Sequence, residues 1–300
     1  MSTKLIIGIH GLNNKPEREV LRKWWSAAIA EGISRNCDRT ASFDFVLAYW
    51  ADVIYPEPMA PADAENGEPY VAAEGSGPLR RAGTSIRTIA ATRVRERVAK
   101  ALEAVFGVPV AEKVVRDALE ARYPDLHLYR HHRAIRDAVR ERLREPLRMA
   151  HARGKEIMLI THSMGSVIAY DVLRAAGRAL PGLRVSHFVT MGSPLGLVKV
   201  REIVTPPLRV PECVAQWSNF ADPRDHVARW DTRLSDDYRS NRAGVAVCDH
   251  LVINGYVSPS GKPNPHKIYG YLRTPEVSEL VAGFIQARRG GASAKKHPAA

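Results

Sequence analysis

A serine between a buried strand and a helix is the residue of this sequence best suited to covalent chemistry. The run THSMG (residues 161–165) directly follows an apolar segment and directly precedes an amphipathic stretch. A serine on so sharp a strand-to-helix turn takes a strained backbone conformation that lifts its hydroxyl clear of the sheet. Amides and the positive end of the helix dipole behind it favour a developing oxyanion. The pattern predicts a nucleophile at Ser163, and the alternative role is a helix N-cap.

The elements that must hold this serine alternate between strand and helix. Short apolar runs predict strands over residues 5–9, 43–50, 156–160, 185–191, 214–220 and 245–253. Helical patterns follow Pro16, follow Gly165 and extend over residues 276–288 after Pro275. This alternation predicts a three-layer α/β sandwich with a mostly parallel central sheet and right-handed crossovers. Ligands bind at the carboxyl edge of such a sheet.

Residues 51–125 interrupt the alternation. Residues 51–79 hold six acidic and no basic side chains, with five prolines and three glycines, which is typical of an extended loop. Residues 80–153 hold 18 basic against nine acidic side chains. Helical spacing recurs over residues 86–105, 110–123 and 132–151, and Pro146 is expected to kink or shorten the last of these helices. We therefore expect a helical cap outside the sheet, at its carboxyl edge.

Five segments carry a resemblance to a known family. They are HGL at residues 10–12, HSMG at 162–165, VTMGSPLG at 189–196, SNFADPRDHVA at 218–228 and HKIYGYLRTPEV at 266–277. Together they resemble the α/β-hydrolase superfamily, particularly its lipase and esterase branch, over nearly the whole chain outside residues 51–125. The chain order Ser…Asp…His is the one that this family uses. The sequence departs from the family's G-x-S-x-G pattern at Thr161, whose methyl group would crowd the turn.

The resemblance implies a site of three side chains and two backbone amides. Ser163 would be the nucleophile, and the amides of Leu12 and Met164 would form the oxyanion hole. Asp225, in the D-x-V-A run after the fifth strand, matches the family's acid best. Asp222 is the alternative acid, and either aspartate could instead cap a turn around the neighbouring proline.

The base is expected among the late histidines. His266 lies in the loop between the last strand and the last helix, where the base of this fold belongs. His250 is the alternative, although its apolar neighbours favour a place within a strand. His226 adjoins the proposed acid too closely to turn back onto it, and His10 is expected to brace its loop.

These assignments predict a serine hydrolase of carboxylic esters, with lipid-like or thioester substrates among the candidates. The α/β-hydrolase core would comprise residues 1–50 and 126–288, residues 51–125 would be a cap or lid, and residues 289–300 a disordered tail. An Arg-rich cap would attract anionic or membrane-associated acyl substrates. A non-catalytic binding or regulatory protein on a hydrolase scaffold, and a basic binder of membranes or nucleic acid, are the alternatives.

Composition sets the outer bounds of these hypotheses. The formal charge of +12 makes polyanions plausible partners, but acids alternate with the arginines and no aromatic side chains line the basic face, which argues against nucleic acid. Three widely spaced cysteines form neither a disulfide framework nor a zinc site. With no secretory signal pattern and no apolar run of about 20 residues, we expect a cytoplasmic protein. No metal-binding spacing or phosphate loop predicts a metal or a cofactor.

Overall fold

The structure is a computed structural model that describes residues 3–60, 62–63, 68–75, 77–82, 124–197, 200–201, 204 and 206–287. Six strands lie within this part of the chain. They are β1 (Lys4–Ile9), β2 (Phe45–Ala48), β3 (Glu156–His162), β4 (His187–Met191), β5 (Trp217–Ala221) and β6 (Val247–Leu251). All six coincide with predicted strands. The predicted fifth strand began at residue 214, but Val214 forms only an isolated bridge with Val185, so the ladder starts at Trp217.

The strands form one sheet in the order β2-β1-β3-β4-β5-β6. Every neighbouring pair is parallel, which confirms the predicted α/β class and extends the expected mostly parallel sheet to an entirely parallel one. The chain moves outward from β1 to β2 on one side and then from β3 to β6 on the other. The point of reversal therefore lies between β1 and β3, where open α/β sheets form their ligand crevice.

Helices cover both faces of the sheet. They are α1 (Arg18–Cys37), α2 (Pro124–His131), α3 (Arg133–Ala152), α4 (Met164–Ala179), α5 (Ile268–Leu272) and α6 (Pro275–Gln286). Alternate strand side chains serve the two faces: Ile7 and Leu159 pack in the cluster with α3 and α4, whereas Ile6 and Met158 pack in the cluster with α1 and α6. Burial on both faces explains why the central strands β1 and β3 are nearly continuous apolar runs.

Pro146 was expected to kink or shorten the helix that contains it, and the structure shows that it does not shorten α3. The helix continues through Pro146 to Ala152. An interior proline costs a helix about 3 kcal/mol. The side chains of Val139, Leu143 and Leu147 are fully buried on this helix, and burying each contributes about 1.5–3 kcal/mol. Packing against the sheet therefore outweighs the missing backbone hydrogen bond.

Three remaining expectations concern the segments outside the described residues, the cysteines and membrane-spanning helices. The predicted helices over residues 86–105 and 110–123, and the predicted disordered tail, lie outside the described residues. The three cysteines are free thiols. No helix of the described ranges combines the length and the apolar character needed to cross a bilayer.

Candidate active site

Ser163 occupies a strained turn between β3 and α4. Its backbone has φ 52° and ψ −129°, a region that residues other than glycine rarely adopt. The Ser163 amide donates to the Met191 carbonyl at 3.1 Å, and the Ser163 carbonyl accepts from the Ser166 amide at 2.9 Å. These hydrogen bonds to the neighbouring strand and to the first turn of α4 stabilise the strained backbone conformation of Ser163.

Close backbone contacts explain the glycines on both sides of this serine. A Cβ atom at Gly165 would lie 2.6 Å from the carbonyl oxygens of Ile9 and His10. A Cβ atom at Gly11 would lie 2.8 Å from the Ser163 Cβ. Thr161 occupies the position of the first glycine in the G-x-S-x-G pattern. Its hydroxyl donates to the Val189 carbonyl of the neighbouring strand at 2.9 Å. The side chain of Thr161 is thus accommodated within the sheet, beside a turn that retains its strained geometry.

The structure brings Ser163, His266 and Asp225 together. The Ser163 Oγ lies 3.1 Å from His266 Nε2, and His266 Nδ1 lies 2.9 Å from each carboxylate oxygen of Asp225. Because the carboxylate accepts the Nδ1 proton, Nε2 is left to accept the serine hydroxyl. The three side chains come from the carboxyl ends of β3 and β5 and from the loop after β6 (residues 252–267, the β6 loop).

Asp225 is fully buried and held as a carboxylate. Its Oδ2 accepts from the Tyr271 hydroxyl at 2.7 Å, and its Oδ1 accepts from the Val227 amide at 2.8 Å. Burial alone would raise the pKa of Asp225, but the hydrogen bonds from His266, Tyr271 and Val227 outweigh it and lower the pKa. Burial and the neighbouring Asp225 raise the pKa of Tyr271 far above its usual value, so Tyr271 stays a neutral donor.

The alternative acid, Asp222, is engaged elsewhere. Its oxygens accept from the Arg224 guanidinium at 2.6 and 3.0 Å and from the Asn254 amide at 2.7 Å. Both acids are buried three residues apart, but only Asp225 contacts His266. Asp222 instead ties the chain after β5 to the start of the β6 loop.

The alternative base, His250, lies within β6. Its ring stacks on Phe220 with centroids 4.7 Å apart. His250 is therefore a strand residue, as its apolar neighbours suggested, and His266 is the histidine that contacts Ser163.

Two further histidines flank His266, and no sequence pattern indicated the role of either one. The buried His162 ring donates from Nε2 to the His266 carbonyl at 2.7 Å. Burial and the nearby His266 lower the pKa of His162 well below its usual value, so its ring is neutral. The exposed His226 ring lies 4.9 Å from the His266 ring, although the sequence suggested only that His226 could not orient on Asp225.

The loop after β1 (residues 10–17, the β1 loop) lies against Ser163. His10 is buried and accepts from the Trp50 amide at 3.0 Å through Nε2, while its Nδ1 donates to the Gly11 carbonyl at 2.8 Å. Burial and the nearby Lys15 lower the pKa of His10 to about 3. His10 therefore braces the loop as a neutral ring. The Leu12 amide donates to no other group of the described residues, and Met164 as the first residue of α4 has no partner within the helix.

Charged groups hold the far end of the β1 loop. The Lys15 ammonium donates to the carbonyls of Leu12, Asn13 and Asn14. The buried Asp125 accepts from the Asn13 amide at 2.6 Å and from the Tyr55 hydroxyl at 2.5 Å. Burial and the charge of Lys267 lower the pKa of Lys15 to about 7, against a smaller rise due to Asp125. Neither Lys15 nor Asp125 belongs to a recognisable motif.

Residues 68–75 and 77 of the acidic segment lie against the β6 loop and α1. Glu68 accepts from Asn264 at 2.6 Å and pairs with Lys267 at 3.3 Å, on either side of His266. Further hydrogen bonds hold this stretch. The Glu31 carboxylate accepts from Tyr70 and from the Ala73 amide, Arg273 donates to the Val71 carbonyl, and Arg35 donates to the carbonyls of Ala73, Glu74 and Gly77. The stretch predicted as a loop without a core is thus attached to the core by hydrogen bonds.

Comparison with known proteins assigns no family to the chain. No protein-family model matches the sequence, and no curated protein matches it. Within the described ranges, no group of three or more histidine, cysteine or acidic side chains is arranged to hold a metal ion.

Proposed function

We propose that this protein is a serine hydrolase of carboxylic esters in the α/β-hydrolase superfamily. The observation that carries the proposal is the relay from Ser163 Oγ to His266 Nε2 at 3.1 Å and from His266 Nδ1 to Asp225 at 2.9 Å. A hydroxyl beside an imidazole that a carboxylate orients is the arrangement that activates serine as a nucleophile. The strained turn at Ser163 and the five family-like segments support the same assignment.

The first chemical step would be attack of Ser163 Oγ on the ester carbonyl carbon. As the new C–O bond forms, His266 Nε2 takes the hydroxyl proton, and the carbonyl π electrons move onto the oxygen. When the tetrahedral intermediate collapses, the bond to the leaving alkoxide breaks and His266 returns the proton to it. An acyl-serine remains. Water then repeats the sequence, again with His266 as base, and releases the acid and the free serine.

The groups around His266 would fix its tautomer and position. Asp225 accepts the Nδ1 proton at 2.9 Å and, kept ionised by its low pKa, stabilises the imidazolium formed in each step. Tyr271 and His162 bind Asp225 and the His266 backbone, so both would be positioning residues. The Leu12 and Met164 amides would stabilise the oxyanion, and each such donor is worth about a hundredfold or more in rate.

The insertion, residues 51–125, would serve as a cap over this site, with anionic or membrane-associated acyl esters as substrates. Two features support this assignment. Tyr55 and Glu68, both from residues 51–79, contact the loops that flank Ser163 through Asp125 and Lys267. The second feature is the basic excess of residues 80–153 in the sequence, which would favour anionic substrates.

A series of p-nitrophenyl esters of increasing acyl length tests the proposal. Ser163→Ala is expected to lower kcat/KM by about four to six orders of magnitude, because the nucleophile is removed. The matched control is Ser240→Ala, since Ser240 is an exposed serine outside the site. A fluorophosphonate probe should label the wild type and the control but not Ser163→Ala.

Two outcomes would contradict the proposal. Equal ester hydrolysis by the wild type and Ser163→Ala would place the activity outside this serine. A folded wild type that neither turns over any ester nor reacts with the fluorophosphonate would favour the non-catalytic alternative.

A further inference from the structure

The peptide unit between Leu12 and Asn13 is held at one end by a carboxylate and at the other by the Lys15 amine, which is a charged ammonium below its lowered pKa of about 7. On its carbonyl side, the Lys15 ammonium donates to the Leu12 oxygen. On its amide side, the Asn13 N–H donates to the Asp125 carboxylate at 2.6 Å. Hydrogen bonds to charged groups are roughly twice as strong as neutral ones. The orientation of this one peptide plane is therefore fixed more firmly than an ordinary loop would be.

The clamped plane adjoins the amide that the proposed mechanism uses. The Leu12 N–H belongs to the preceding peptide unit, and the two units share the Leu12 Cα. Asn13 takes the left-handed conformation, with φ 71°, which asparagine adopts more readily than most residues other than glycine. Rotation of the Leu12–Asn13 plane changes ψ of Leu12, and the backbone angles of Leu12 set how this plane lies relative to the plane that carries the Leu12 N–H. By opposing that rotation, the clamp restricts the directions open to the Leu12 N–H.

The negative half of the clamp comes from the insertion. Asp125 lies in the first turn of α2 and is 1% exposed. Its second oxygen accepts from Tyr55, which follows the short 3-10 helix Ala51–Val53. Tyr55 and Asp125 thus join the two ends of the insertion to each other and to the β1 loop. The contact between Asp125 and Asn13 spans 112 residues of sequence.

We propose that Asp125 and Lys15, supported by Tyr55, are positioning residues that set the oxyanion hole by clamping the Leu12–Asn13 peptide. The inference rests on the proposed hydrolase function. It makes the insertion part of the catalytic machinery, because the insertion supplies one of the two charges that orient a transition-state donor. Substrate binding itself would depend little on the clamp, since the oxyanion forms only after Ser163 attacks.

Steady-state kinetics on an ester that the wild type hydrolyses test the clamp. Asp125→Ala is expected to lower kcat by about tenfold to a hundredfold with KM nearly unchanged, because a misdirected oxyanion donor is lost in the transition state. Tyr55→Phe should lower kcat by about threefold, because Asp125 keeps its bond to Asn13. Lys15→Met should resemble Asp125→Ala, and Lys15→Arg should recover part of the loss.

The matched control is Asp52→Asn. It breaks the ion pair between Asp52 and Arg142, which also ties the insertion to α3 but does not touch the β1 loop. A peptidic or aryl boronic acid, whose adduct with Ser163 places an oxygen in the oxyanion hole, adds a second readout. Its inhibition constant should rise in Asp125→Ala in proportion to the loss in kcat/KM, whereas in Asp52→Asn both should stay within about twofold of the wild type.

The outcomes separate this inference from the function on which it rests. Ester hydrolysis that requires Ser163 but is as fast in folded Asp125→Ala and Tyr55→Phe as in Asp52→Asn would overturn the clamp alone. A wild type without Ser163-dependent hydrolysis would overturn both. If Asp125→Ala does not fold, Tyr55→Phe and Lys15→Met decide the question by the same comparison of kcat with KM.

Discussion

The β6 loop and the β1 loop flank the same serine, but different interactions position the base in the first and the oxyanion donor in the second. In the β6 loop, neutral hydrogen bonds hold the backbone of the base: His162 donates to the His266 carbonyl, and Asn264 accepts from the His266 amide at 2.9 Å. The β1 loop is fixed at its far end by the charges of Lys15 and Asp125. The His266 ring itself is therefore oriented by core groups, and Glu68 of the insertion holds only its sequence neighbours, whereas the insertion binds the Leu12–Asn13 peptide directly through Asp125. A change in the insertion should thus affect the oxyanion donor more than the base.

The largest expected effect tests the β6 loop. His266→Ala should lower kcat/KM for an ester by about four to six orders of magnitude, because Ser163 then lacks its base. Adding Ser163→Ala to this variant should cost almost nothing more, since the three side chains act as a unit. Ester kinetics of the two single variants and the double variant measure this. Additive losses would mean that Ser163 and His266 work independently, and the comparison of the two loops would lose its basis.

The next largest effect separates the two buried acids after β5. Asp225→Asn should lower kcat by about 10⁴-fold, because an amide cannot hold the His266 tautomer or stabilise the imidazolium. Asp222→Asn should leave kcat within about tenfold but lower the free energy of unfolding by about 1–3 kcal/mol, because Asp222 binds Arg224 and the Asn254 amide. Kinetics and denaturant unfolding of both variants distinguish the roles. A larger loss of kcat in Asp222→Asn would reverse the assignment of the acid.

The smallest effect concerns the stability of the folded protein in acid, to which His10 of the β1 loop and His187 of β4 contribute. Burial lowers the pKa of His10 to about 3 and that of His187 to about 4 in the folded protein, below the value of about 6.5 in an unfolded chain. As the pH falls through about 6.5, the unfolded chain takes up protons first, so folded-state stability is lost. Each histidine should cost about 1.4 kcal/mol between about pH 7.5 and 5.5.

Denaturant unfolding across this pH range, with His10→Gln and His187→Gln, measures both contributions. Either variant should reduce the loss of stability at low pH. Only His10→Gln should also lower kcat, because His10 braces the β1 loop while His187 lies at the amino end of β4. Unchanged pH dependence in both variants would show that neither ring is neutral for the reason given.

The sequence was sufficient to predict the α/β class and the positions of all six strands. Ser163, Asp225 and His266 could be predicted as a set because each follows a strand in an order already known from a family, and the structure places them in contact. Lys15, Asp125 and Tyr271 could not. Their residue types are ordinary for loops and helices, and the Asn13–Asp125 contact joins residues 112 positions apart, so nothing local marks it. The apolar spacing around Pro146 was visible in the sequence, but the degree to which Val139, Leu143 and Leu147 are buried, which lets α3 continue through the proline, was not.

The backbone conformation of Ser163 places the stability of the protein in conflict with its proposed catalytic function. A φ of 52° with ψ −129° is accessible to glycine at little cost, whereas a side chain there costs about 1–3 kcal/mol. Under selection for thermal endurance alone, glycine would replace the serine at this position, and the protein would gain stability as it lost its hydroxyl. The residue on which the proposed chemistry depends is thus less favourable for folding stability than glycine at the same position.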